Sequence, residues 1–188
     1  MKIKYLKETL SKYPDDLEVV ILYKDNYDEH IEDEFSIYQA DKFFKSLNPH
    51  SKGEPIAVNE HQRDAFIEAM QARRKLLLSP TASGKSLIIY LIFRQLLDYQ
   101  DLKGLIIVPT TSLVEQLYSD FQDYASDDTF KPYMHVHRIY QGKEKETDKP
   151  IVISTWQSLY KMPKEYFEQF DYIIGDEAHN FKAQSLTT

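Results

Sequence analysis

Two short stretches of this chain carry residue types that phosphate chemistry needs. The first is Ser79–Ser86, reading "SPTASGKS". Holding a phosphate at a strand-to-helix turn takes backbone N–H groups at a helix N-terminus, a lysine that reaches the β- and γ-phosphates, and a hydroxyl that ligates Mg²⁺. Pro80, Thr81, Ala82, Ser83 and Gly84 supply the loop, Lys85 the cation and Ser86 the metal ligand. A glycine usually opens such a loop, and Ser79 stands there instead. Gly84 keeps the close-approach position before Lys85, where a side chain would collide with phosphate.

The second stretch is "YIIGDEAH", an apolar strand that runs into Asp176 and Glu177. An acid at the carboxyl end of a buried strand is placed to hold Mg²⁺ through water. A carboxylate beside it can orient an attacking water as general base. Alone, two carboxylates after a strand read as a solvated turn or a helix cap. Downstream of a Gly-Lys-Ser loop, with strand–helix units between, they form a constellation for nucleotide hydrolysis.

The elements that must position these residues follow from texture. From Val58 onward, helical periodicity in "EHQRDAFIEAMQARR" gives way to the apolar run "KLLLSP", the loop, and the apolar helix "SLIIYLIFRQLLDYQ". Strands "GLIIVP", "MHVHRIY", "PIVIST" and "YIIGDEAH" alternate with the helix "TSLVEQLYSDFQDYA" and a helical stretch "WQSLYKMPKEYFEQF" broken at Pro163. Short continuous apolar runs among helices predict a parallel sheet covered on both faces. Upstream, residues 3–13 read as a short helix, "LEVVILY" as a strand and "IYQADKFFKSL" as a helix. "DNYDEHIEDE" holds six carboxylates in ten residues and reads as a solvated loop. "NPHSKGEP" at 48–55 collects linker residues, which places a domain boundary near residue 50.

Composition narrows the class. Apolar residues make up 42 % of the 188, a share that allows one good core. No stretch approaches the roughly 18 continuous apolar residues that span a bilayer, so no membrane partner is expected. The N-terminus turns polar before a signal-peptide apolar run can form. The absence of cysteine excludes disulfides and thiolate metal sites and fits a reducing cytoplasm. His135 and His137 fall on one face of a predicted strand, where a surface or packing role outweighs metal binding. The net charge of −7 gives no global field that would draw nucleic acid, so any such contact must be local.

In order, "PTASGKS", "IIVPTTSLVEQL", "ISTWQSL" and "DEAH" match motifs I, Ia, Ic and II of superfamily 2 helicases and translocases. The chain resembles that superfamily over about residues 40–180, and within it a phage type of recombination and fork-remodelling DNA helicase. It shares with that type the upstream "NEHQRDAF", the Trp-Gln pair after the motif Ic threonine, and "PKEYFEQF" before motif II. A group of RNA helicases carries the same DEAH letters. Their motif I usually runs Gly-Glu-Thr-Gly-Ser-Gly-Lys-Thr and they lack the upstream glutamine, so DNA is the preferred substrate.

The resemblance implies a fold and a set of roles. The fold is α/β: a RecA-like P-loop domain with a parallel sheet at 51–188, preceded by a small acidic α+β accessory segment at 1–50. Gln62 resembles the glutamine that reads the adenine edge, a task for which an amide can donate and accept at once. Lys85, Asp176 and Glu177 would be catalytic, with Ser86 and Asp176 on Mg²⁺, the latter through water. Pro109, Thr110, Gln116 and Thr155 would face the backbone of a tracking strand without reading its sequence. For Trp156, core packing and base stacking stay equally open. His179 would couple ATP state to strand grip. The implied cofactors are ATP and Mg²⁺, and the implied partner is single-stranded or branched DNA in a bacterial host cytoplasm.

Against the family pattern, motif III and the second RecA-like lobe are not found in these residues. The family's motif III strand lies between the motif I and motif II strands. A truncated or split product is therefore expected, with a gap in mid-sheet beside Lys85 and Asp176 and a second chain supplying the missing lobe. The first 50 residues hold eleven acids against seven lysines and no arginine, which is not an obvious DNA grip. Two other readings compete with the helicase lobe. One is a remnant that binds nucleotide or a partner without motor work; the other is an unrelated P-loop ATPase or kinase.

Overall fold

The computed structural model describes residues 18–24, 35–72, 74–79 and 84–176. The predicted helix at 3–13 and the acidic stretch 25–34 lie outside them.

Six strands form one sheet: β1 (Glu18–Lys24), β4 (Arg74–Ser79), β5 (Gly104–Val108), β6 (Val136–Ile139), β7 (Ile151–Thr155) and β8 (Tyr172–Gly175). Their order is β4-β1-β8-β5-β7-β6. The run β8-β5-β7-β6 is parallel throughout. β1 is antiparallel to both its neighbours, so β4 points the same way as β8. The slot in which a gap was expected, between the strands of motifs I and II, is thus filled by a strand from the N-terminal segment.

Strand sequences divide between two faces with the period of two that a pleat imposes. Ile106, Val108, Ile151, Ile153, Tyr172 and Ile174 point into the larger core. Leu105, Ile107 and Val152 point into a smaller one on the other side, closed by Leu159 and Phe170. Strands β5 and β7 are buried along their whole length, the pattern of a sheet covered on both faces.

Four helices cover the larger face. α1 (Ile37–Ser46) and α2 (Glu60–Gln71) both start in capping boxes, Ser36 with Gln39 and Asn59 with Gln62. α1 buries Ala40 and Phe43, and Phe43 stacks on Phe66 of α2 at 5.2 Å. α3 (Lys85–Gln100) is buried at every residue from Leu87 to Leu96, which suits a sequence that is apolar all round. α4 (Thr111–Tyr124) turns Val114, Leu117, Tyr118 and Phe121 inward. Among the described residues the other helices are the short α5 (Pro132–His135), α6 (Trp156–Leu159) and α7 (Lys164–Phe167), with Pro163 as the N-cap of α7.

Arg94 is the charged residue most deeply set in this core, 5 % exposed. It pairs with Asp98 at 2.7 Å and Asp128 at 2.5 Å, donates to the Tyr90 hydroxyl at 2.7 Å, and lies 4.3 Å from the Phe130 ring centroid. Burial pushes the Tyr90 hydroxyl up to about 12, so it stays protonated and accepts from the guanidinium.

Two local readings change. The 48–55 linker contains a two-residue hairpin, β2 (His50–Ser51) with β3 (Glu54–Pro55), turning through Lys52 and Gly53 at positive φ. It is anchored, because the Lys52 amide donates to the Asp123 carboxylate at 2.9 and 3.0 Å. His135 is helical rather than in a strand, since Pro132 starts a turn that ends there. His135 then bonds the Lys131 carbonyl and stacks on Phe130, while His137 bonds the Glu144 carbonyl.

Candidate functional site

The segment read from sequence as a phosphate loop follows β4, and the described residues resume at Gly84, where α3 begins. That residue is the N-cap, in the left-handed region at φ 78° and ψ 37°. An L-side chain is disfavoured there, so the glycine is required by conformation as well as by space. A Cβ at Gly84 would come within 2.3 Å of Gln62 Nε2. The amide of Gln62, 6 % exposed, therefore packs directly against the last loop residue. Its other end is used locally: Gln62 Oε1 accepts from the Asn59 amide at 3.2 Å, and the Gln62 amide donates to Asn59 Oδ1 at 3.0 Å.

Lys85 and Ser86 form the first turn of α3, both half-buried. The Ser86 hydroxyl is bonded to the Tyr124 hydroxyl at 2.7 Å. Asp120 also reaches Ser86; burial raises its carboxyl pKa, against the lowering effect of that hydrogen bond. Asp176 closes β8 and is 8 % exposed, and its amide donates to the Ile107 carbonyl at 2.9 Å. Lys85 and Asp176 thus sit at the carboxyl ends of β4 and β8, the end at which open α/β sheets bind ligands. Pro80, Thr81, Ala82, Ser83, Glu177 and His179 lie outside the described residues.

A groove of about 530 Å³ opens at the same end of the sheet, over β5, β6 and β7. Pro109, Thr110 and Thr155 are among its lining residues, whereas Gln116 is exposed on α4 and is not. Thr110 caps α4, its hydroxyl accepting from the Leu113 amide at 3.3 Å. Thr155 is buried and shares a hydrogen bond with Ser158 at 2.9 Å. Trp156 is half-buried and packs against the smaller core that holds Leu159 and Phe170.

Sequence reading missed the rest of the groove. Lys143, Lys145 and Lys161 line it and none of its residues is acidic, on a chain of net charge −7. Lys143 stands 5.5 Å from the Tyr140 ring centroid and Lys161 5.2 Å from that of Tyr160. The available signal was the pair of Tyr/Lys-rich stretches, "YQGKEK" after β6 and "LYK" at the end of α6. Among the described residues no cluster of three or more His, Cys, Asp or Glu could hold a metal, and no helix is long and apolar enough to cross a membrane.

Residues 55–188 match the family model described as type III restriction enzyme, res subunit. The chain is 37 % identical over 160 residues to the ATP-dependent DNA helicase UvsW of Enterobacteria phage T4, covering 83 % of this chain and 31 % of that protein. It is 24 % identical over 132 residues to the DNA 3′-5′ translocase XPB2 of Sulfurisphaera tokodaii, covering 70 % of this chain and 27 % of the relative. The chain therefore spans about a third of the length of these curated relatives. A crystal structure of the T4 UvsW helicase superposes with a TM-score of 0.65 at 36 % identity, over 79 % of this chain and 50 % of that one. A second T4 UvsW crystal structure gives 0.65 at 32 % identity, over 90 % and 32 %.

Proposed function

The chain belongs to the ResIII family of helicase domains, and on that premise we propose that it is the ATP-binding lobe of an ATP-dependent DNA helicase or translocase. The observation that carries this reading is Gly84. A left-handed glycine caps a long buried helix, directly before Lys85 and at the same sheet end as Asp176. Such a turn leaves helix N-terminal amides to face an anion, with the lysine adding a full charge.

In this reading Lys85 neutralises the β- and γ-phosphates, and Glu177 orients the attacking water and takes its proton. Ser86 and Asp176 offer the hard oxygen donors that Mg²⁺ prefers, and the donor set fits that ion. Mg²⁺ bound there would neutralise charge on the phosphate oxygens. Gln62 reads the adenine edge. It would share its Oε1 with the Asn59 amide, as a carbonyl oxygen with two lone pairs can. His179 couples this site to strand grip.

The acid-free, lysine-lined groove supports DNA as the partner. Three cations and the Thr110 and Thr155 turns suit a phosphate backbone, while Tyr140 and Tyr160 offer faces on which bases stack. Residues 1–50 are read as an accessory segment and 51–188 as the lobe. UvsW is named a DNA helicase and XPB2 a DNA translocase, and the same activity in a complete motor is proposed for this protein.

A second reading is nucleotide binding without motor work, in which the Ser86 hydroxyl keeps its hydrogen bond to the Tyr124 hydroxyl at 2.7 Å. ATP hydrolysis measured with and without single-stranded DNA separates the two. DNA-stimulated turnover supports the motor lobe. Binding without turnover selects the second reading, and absence of both overturns the nucleotide site.

A further inference from the structure

Among the described residues, β4, the strand that precedes the proposed phosphate loop, is joined to the rest of the sheet through β1 alone. The β4 residues Arg74 to Ser79 pair with Tyr23 to Glu18. On its other side β1 pairs Ile21 to Lys24 with Gly175 to Tyr172 of β8. β4 has no other strand neighbour among the described residues, and β4 and β8 do not touch as neighbours. An ion pair of 2.8 Å between Lys75 and Glu68 also ties β4 to α2, but both partners are substantially exposed and such pairs contribute little.

β1 also lies outside the family match, which begins at residue 55. Within the matched residues alone, β4, which leads toward Lys85, and β8, which leads into Asp176, stand two strand spacings apart, about 10 Å. Each would then present a row of backbone N–H and C=O groups to that space, and buried groups of this kind demand partners. The polarity of β1 adds a second constraint. Running against its neighbours, it sets Glu18 beside Ser79, where the loop begins, and Ile21 beside Gly175, one residue before Asp176. Its register therefore fixes both halves of the site at once.

We propose that residues 18–24 are a positioning element of the nucleotide site, holding β4 against β8 and setting the separation of Lys85 from Asp176. The inference rests on the reading of these residues as a nucleotide site. It gives the N-terminal segment a task within that site. A ligand that bridges the loop and Asp176 then binds only when β1 is in place, so ligand must stabilise β1 by linkage.

Hydrogen exchange on the full chain, with and without ATP and Mg²⁺, tests this. The amides of 18–24 and 75–79 should exchange as one unit, and both should slow at least ten-fold when ATP is saturating. β4 protected while β1 exchanges freely would overturn the proposal. Ile21→Pro, which removes a ladder N–H, should weaken ATP at least ten-fold and leave the amides of β5 and β7 protected, while Ile21→Val keeps affinity. Unchanged ATP affinity in Ile21→Pro would contradict the proposal. If that variant loses protection in β5 and β7 as well, the exchange comparison on the unaltered chain decides. If the unaltered chain binds no ATP, the nucleotide reading fails, and joint exchange of β1 with β4 still decides whether β1 holds the loop strand.

Discussion

Gln62 and Gly84 are in direct opposition: the space a Cβ would need at Gly84 is taken by the Gln62 amide nitrogen, 2.3 Å away. The contact joins the first turn of α2 to the entry of α3. It makes the upstream glutamine a structural neighbour of the phosphate loop as well as a candidate base reader.

Gly84→Ala should therefore cost about 2–3 kcal/mol, from left-handed backbone strain and from expulsion of the buried Gln62 amide out of its capping box. Denaturant unfolding measures it. In a Gln62→Ala background the same substitution should cost less, because the colliding atom is gone. Additive costs would show that the two residues do not meet.

Tyr172 offers a stability test away from the chemistry. It is fully buried, its hydroxyl has no hydrogen-bond partner among the described residues, and burial pushes its pKa far up. Tyr172→Phe removes an unsatisfied polar atom and should raise stability by about 1 kcal/mol. The ring itself fits only because position 104 is glycine, where a Cβ would lie 2.1 Å from Tyr172 Cζ. Gly104→Ala should destabilise by several kcal/mol, seen as a lower unfolding midpoint.

The Arg94 cluster predicts a pH dependence. Burial raises the Asp128 carboxyl, but the Arg94 and Phe130 hydrogen bonds outweigh it and hold the pKa below the usual value. A depressed carboxylate contributes stability above its unfolded pKa of about 4 and loses it as pH falls through the lower folded value. Arg94→Met should cost about 2 kcal/mol near neutrality by leaving the half-buried Asp128 carboxylate without its cation. The gap from the unaltered chain should narrow as pH drops below about 4, in thermal melts taken across that range.

The groove predicts a split between stacking and charge. Tyr160→Ala should lower single-strand DNA affinity about ten-fold, with Tyr160→Trp preserving it, since stacking contributes about 1–3 kcal/mol per base. Lys143→Ala and Lys161→Ala should instead flatten the salt dependence of binding. Fluorescence anisotropy at several salt concentrations reads both. Equal salt slopes in all variants would place the DNA elsewhere.

The parts of this molecule legible in its sequence are those whose signal is local. The end of β4 at Ser79, the start of α3 after Gly84 and the end of β8 before Asp176 follow local patterns, and buried strands such as "LIIV" are continuous apolar runs. β1 was equally readable as a strand, but its place was not. Strand neighbours are chosen across long sequence separations, and nothing in "LEVVILY" names β4 and β8 as partners. The groove was missed for a related reason, because its lysines and tyrosines come together only where separate loops meet at one end of the sheet. His135 was assigned to a strand by its apolar neighbours, and the turn started by Pro132 prevailed.

The central claim is that the loop closing on Gly84 and Lys85 binds the phosphates of ATP. A calorimetric titration of the chain with ATP in the presence of Mg²⁺, set beside Lys85→Ala, tests it most directly. The account predicts one saturable site in the unaltered chain, weakened at least ten-fold by Lys85→Ala with the fold retained. Equal affinity in the two proteins would contradict it.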